Sequence, residues 1–147
     1  MDNLYRDFIL EHYRNPHNKG MLEPHDLHFA DSNPTCGDEL SMTIVLSDAK
    51  TRIVDIAFDG QGCAVSQASA SILTDELRGM TVDEAREIDP AAILEGLGVP
   101  ITPARLKCAL LSYKVLQGAV RGSAVAWPDE ADLPISAGSG GSSPTKG

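Results

Sequence analysis

The chain has 147 residues, a length that fits one domain. Its 12 Lys and Arg against 21 Asp and Glu give a formal net charge of -9. That balance speaks against nucleic acid and anionic lipid as partners, which call for a basic face, and leaves room for a protein with one. Hydrophobic residues at 42% suffice for a core without disulfides.

Met1 to Arg14 carries Asp2, Arg6, Asp7, Glu11 and Arg14 and lacks the apolar stretch of a secretion signal. No run approaches the roughly 18 apolar residues of a membrane span. The expected location is cytoplasmic, without membrane insertion.

Asn3 is placed to cap a helix from Leu4 to about Tyr13, with Leu4, Phe8 and Ile9 on its apolar stripe. Asn15-Pro16 ends it, since the residue before proline avoids the helical region. Residues 16–25 read as loop, and Leu27–Ser32 as a short strand. Leu40, Met42, Ile44 and Leu46 then alternate with Ser41, Thr43 and Val45. After a polar turn over Ser47–Thr51, Val54, Ile56 and Phe58 alternate with Asp55, Ala57 and Asp59. These two runs predict an antiparallel hairpin with one wet face.

Gly60-Gln61-Gly62-Cys63 breaks the second run, and a helix follows over Ala64–Leu77, opening on the small residues Ala64, Ser66, Ala68, Ser69, Ala70 and Ser71. Arg78-Gly79 supplies a stop. Thr81 to Glu84 fits a capping box, and Asp89-Pro90 starts another short helix ending near Gly96 or Gly98. Thr102-Pro103 opens the last helix, to about Arg121. The order predicts an α+β fold: a small antiparallel three-stranded sheet packed with helices, in a single domain over 1–127. Residues 128–147 read as a flexible Gly/Ser-rich tail.

The chemistry-bearing residues are few. Cys36 precedes a strand, Cys63 sits at or just before a helix N-terminus, and Cys108 lies in the second turn of the last helix as predicted. An odd cysteine count speaks against a disulfide framework. The three are either separate buried apolar residues or one site. If hairpin and helix pack together, they meet at one end of the sheet, with Asp38 two residues after Cys36. Three thiolates and a carboxylate suit tetrahedral zinc, and sulfur also suits iron–sulfur clusters. A helix N-terminus favours thiolate at Cys63, and Arg105 is placed to offset anionic charge. Taken alone, Asp38 reads as a turn residue, Arg105 and Lys107 as a solvated helix face, and Ser66, Ser69 and Ser71 as close helix packing. Gly60-Gln61-Gly62 is no nucleotide fingerprint, because Val65 stands where its third glycine belongs. His12, His17, His25 and His28 all precede the first cysteine, in surface or core roles. A thiol enzyme with Cys63 as nucleophile and a histidine base is a second class of reading. A structural zinc module that regulates a partner is a third.

Thr35-Cys36-Gly37-Asp38, Gly60-Gln61-Gly62-Cys63-Ala64 with Ser66, Ala68 and Ser69, and Arg105-x-x-Cys108 resemble the iron–sulfur cluster assembly scaffolds, the NifU N-terminal-like proteins of the IscU and SufU groups. The opening Leu4-Tyr5 through His12-Tyr13 and Asn15-Pro16-His17-Asn18 is similar too, so the likeness spans residues 3–121. The resemblance implies that Cys36, Asp38, Cys63 and Cys108 bind zinc or iron, or hold a transient [2Fe–2S] cluster. It implies a cysteine desulfurase as sulfur donor, with Cys36 (SufU-type) or Cys108 (scaffold-type) as persulfide acceptor. Downstream apo iron–sulfur proteins or carriers would receive the product. Lys107 stands where scaffold-type members carry histidine and resembles the zinc-dependent SufU type, yet the stretch from Cys63 to Cys108 is short, as in the scaffold type. Pro100-Ile101-Thr102-Pro103-Ala104 does not reproduce the chaperone-recognition motif, which puts an Hsp70-type partner in doubt.

Overall fold

The computed structural model describes residues 2–34, 37–129 and 133, with side chains from Arg6 onward. Helix α1 covers Asp2–Arg14, so Asn3 falls inside its first turn instead of capping it. Strands β1 (Leu27–Asn33), β2 (Asp38–Leu46) and β3 (Ile53–Gln61) form an antiparallel sheet in the order β1-β2-β3. Helices α2 (Ala64–Leu77), α3 (Val82–Arg86), α4 (Pro90–Leu97) and α5 (Leu106–Arg121) follow. The α+β architecture with a three-stranded antiparallel sheet is as the sequence predicts. Among the described residues no helix is long and apolar enough to cross a membrane.

One face of the sheet carries the core. Leu40, Met42, Ile44, Ile56 and Phe58 pack under Ala70, Leu73 and Leu77 of α2 and Leu111, Val115 and Leu116 of α5. A second cluster joins Ile9 of α1 to Ala68, Leu94, Leu97, Leu106 and Leu110, and also buries Leu133. The rest of the proposed tail beyond Asp129 lies outside the described residues.

Three further expectations need correction. Leu46 pairs with Ile53 and Val45 with Asp55, so a bulge leaves Val54 over. Ile53 is therefore buried and Val54 is 50% exposed, because one extra residue reverses the facing of its neighbours. The far face of the hairpin is not wholly wet. Asn18 and Gly20 pair with Phe58 on the free edge of β3, and Leu22 N donates to Thr43 Oγ1 at 3.0 Å, so Thr43 and Ala57 are buried. The last helix starts later than expected. Pro103–Arg105 is a 3-10 turn, Thr102 gives no side-chain cap, and Cys108 sits in the first turn of α5 rather than the second.

The small residues of α2 do what close packing requires. Ser69 Oγ donates to Ala109 O at 2.8 Å and meets Ser112 Oγ at 3.0 Å, which seats α5. Ser71 Oγ accepts from His17 N at 2.8 Å and lies 2.7 Å from His12 Nδ1, which seats α1 and the loop after it. While accepting from His17 N, that hydroxyl is able to donate its proton to a neutral His12 imidazole. Burial, then the charge of His17, push the His12 pKa below 6.5, partly offset by Asp75 and Glu11. The unfolded chain therefore takes up a proton first as pH falls. Stability of the chelator-treated protein is expected to be full above pH 6.5 and to decline below it. Melting temperatures across that range check this, and His12→Gln should flatten the slope.

Candidate metal centre

Cys63 is the N-cap of α2, with extended backbone at φ -73° and ψ 169°. It gets there because β3 ends in Gly60-Gln61-Gly62. Gly60 has φ +136°, and a side chain on it would run into the Glu39 carbonyl. Gly62 has no room either: a Cβ there would collide with Asp38 Oδ1 and lie 2.7 Å from Ser66 Oγ. That vacancy is filled by Asp38, the first residue of β2 and only 1% exposed. Its Oδ1 accepts from Cys63 N at 3.0 Å, while Ser66 Oγ donates to Cys63 O at 3.1 Å. Strand β2 and helix α2 are thereby pinned at the residue that carries the thiol.

Cys108 comes to the same place from α5. One ligand atom each from Asp38, Cys63 and Cys108 lie within 4.8 Å of one another. Both cysteines are thiols; Cys63 is partly exposed and Cys108 is 1% exposed. Cys36, with Thr35, lies outside the described residues, though the loop that carries it is closed by Gly37 N donating to Asn33 O at 2.9 Å. The donor set fits a metal on one further observation. Asp38 Oδ2 is buried and has no hydrogen-bond partner. A carboxylate oxygen held dry beside two thiols is suited to a metal ligand, because burying it unpaired is otherwise costly.

The other candidates lie elsewhere. Arg105 and Lys107 are exposed, and Lys107 Nζ sits 5.4 Å over the Trp127 ring. His12 and His17 are engaged with Ser71 and Asp75, about 12 Å and 18 Å down α2 from Cys63. His25 Nδ1 is held at Leu22 O and His28 is exposed. None of these contacts supplies a base for Cys63. Sequence reasoning passed over Gln67 and Asn33, both buried, one helical turn beyond Cys63 and directly across the sheet from Asp38. The strand alternation of Leu27, Phe29 and Asp31 continued by two residues points to Asn33.

Residues 4–123 match the family model of the NifU-like N-terminal domain. The chain belongs to that family. This NifU-like domain is 38% identical over 138 residues to the zinc-dependent sulfurtransferase SufU of Bacillus subtilis, covering 82% of this chain and 91% of the relative. It is 33% identical over 143 residues to the iron–sulfur cluster assembly scaffold protein IscU of Streptococcus pyogenes, covering 84% and 87%. A crystal structure described as a SUF-system cluster assembly scaffold from Fervidobacterium islandicum superposes with a TM-score of 0.66 at 30% identity, covering 78% and 94%.

Gly62→Ala tests how the site is built. The new methyl must displace the Asp38 carboxylate, so zinc affinity should fall at least about tenfold while the helical circular dichroism signal is kept. Competition with a chromophoric chelator measures it.

Proposed function

We propose that this NifU-like domain accepts persulfide sulfur from a cysteine desulfurase and passes it into iron–sulfur cluster assembly, working at a zinc centre formed by Cys36, Asp38, Cys63 and Cys108. The observation that carries the proposal is the unpartnered Asp38 Oδ2 beside the Cys63 and Cys108 thiols. The SufU relative and Lys107 support the zinc version. Zinc held there would keep its cysteines as thiolates near neutral pH.

The chain's own part is nucleophilic. A cysteine thiolate attacks the outer sulfur of the desulfurase persulfide. A sulfur–sulfur bond forms on this chain, the donor's sulfur–sulfur bond breaks, and the desulfurase thiolate leaves. Cys108 is buried, which supports Cys36 as the acceptor. Three sulfurs with one carboxylate hold a soft-metal cargo less firmly than four sulfurs, which suits transfer onward to an apo protein or carrier. The same set supports a second reading, in which a nascent [2Fe–2S] cluster is the cargo; the Streptococcus relative is named a scaffold.

Incubation with a cysteine desulfurase and cysteine, then peptide mass spectrometry, should find a gain of about 32 Da, one sulfur, on the Cys36 peptide. A gain on the Cys108 peptide, with a visible cluster spectrum after anaerobic iron addition, selects the scaffold reading. No gain on any cysteine overturns sulfur acceptance. Cys63→Ser and Cys108→Ser should each cut zinc below half of the unsubstituted stoichiometry by elemental analysis, and full occupancy in both would remove the centre.

A further inference from the structure

Among the described residues, three buried side-chain polar atoms have no hydrogen-bond partner: Asp38 Oδ2, Asn33 Nδ2 and Gln67 Nε2. All belong to one end of the fold. Gln67 N bonds to Cys63 O, and Gln67 Oε1 accepts from Lys19 Nζ at 3.2 Å. Asn33 is the last residue of β1, 2% exposed, and its Cα partner across the sheet is Asp38. Directly opposed residues share a face, with Cβ atoms about 5 Å apart. An amide donor and a carboxylate acceptor therefore stand side by side, both dry, and do not bond to each other. The carboxylate oxygen has a use in the metal-centre reading. The amide has none, and a neutral N–H donor is suited to an anion rather than to a cation.

The packing of β1 on α5 says which anion. Phe29 abuts Gly118, and Asp31 pairs with Lys114 Nζ at 2.5 Å. Two strand residues, about 6.6 Å, thus match four helix residues, about 6 Å, as the chains run antiparallel. The next step brings Asn33 level with Leu110, and Cys108 lies two residues, about 3 Å, further along the helix axis. Asp38, the cross-strand partner of Asn33, holds a carboxylate oxygen within 4.8 Å of the Cys108 sulfur, so Asn33 stands beside the pocket that this thiol enters. The Asn33 carbonyl closes the loop that carries Cys36.

We propose that Asn33 is a positioning residue of the metal centre: its side-chain N–H donates to the Cys108 sulfur when the metal is bound. This rests on the reading of Asp38, Cys63 and Cys108 as metal ligands. The bond orients the sulfur and withdraws charge from it, as outer hydrogen bonds to metal ligands do.

The test uses the full-length chain loaded with zinc or with cobalt(II), comparing the unsubstituted protein with Asn33→Leu and, should that variant not fold, Asn33→Ala. Zinc should bind roughly 10- to 100-fold more weakly without the amide. The sulfur-to-cobalt charge-transfer band should move to lower energy, because a thiolate relieved of a hydrogen bond gives up charge more readily. Weaker zinc binding with an unmoved band would mean that the amide only props Asp38, and overturns the proposal; so does unchanged binding. Absence of any sulfur-to-cobalt band in the unsubstituted protein takes down the metal centre itself and this inference with it, whereas a present band that fails to move takes down this inference alone.

Discussion

The hydrogen bond from Cys63 N to Asp38 Oδ1 ties the start of β2 to the start of α2, and the geometry of the site follows from it. A buried carboxylate is tolerable only with donors around it. Here one donor is the backbone of the residue whose thiol must be placed, so satisfying the acid and aiming the cysteine are one event. Gly62 is the condition for it, since any side chain there occupies the carboxylate's position. Gly60 is the condition for the turn, since its positive φ brings the end of β3 against the Glu39 carbonyl.

The small-residue stripe of α2 transmits this placement. With Ser66, Ala68, Ser69, Ala70 and Ser71 all buried, α2 lets α5 approach through Ser69 and lets α1 and its loop approach through Ser71. Larger residues would hold α5 away and separate Cys108 from Cys63. The serines also hydrogen-bond within the helix packing, so close approach leaves no hydroxyl stranded. The fold's two clusters meet along this helix, which makes it the element both layers are measured from.

Much of this could be read from residue order. Ala64–Leu77 is bounded as its sequence indicates, because Cys63 follows a glycine turn and Gly79 with φ +87° stops it. The capping box of Thr81 and Glu84 and the Asp89-Pro90 start are local signals, and they appear intact. What could not be read was relational. Val54 looks inward in any two-residue alternation, and only pairing with β2 reveals the bulge that turns it out. Thr102-Pro103 looks like a helix start, yet the chain spends a 3-10 turn before α5, which moves Cys108 into the first turn. Asp38 taken alone reads as a turn residue, and only the space at Gly62 makes it a buried acceptor. Asn33 lies one residue past the strand end read from the sequence, and its place opposite Asp38 came only with the register.

The helix termini differ in what meets their positive ends. At α3, Thr81 caps and Asp83 and Glu84 sit in the first turn; at α4, Asp89 caps. Each brings its own negative group to its positive end. Helices α2 and α5 do not: neither first turn holds an acid, and neither N-cap makes a side-chain bond. Their positive ends face Cys63, Cys108 and Asp38 instead. The net charge of -9 is spread over the surface, where salt screens it beyond about 10 Å. Cys63 caps α2 and Cys108 lies in the first turn of α5, well inside that distance of the two helix starts. The open helix ends therefore act at short range on this end of the fold, where the chain's overall charge is screened.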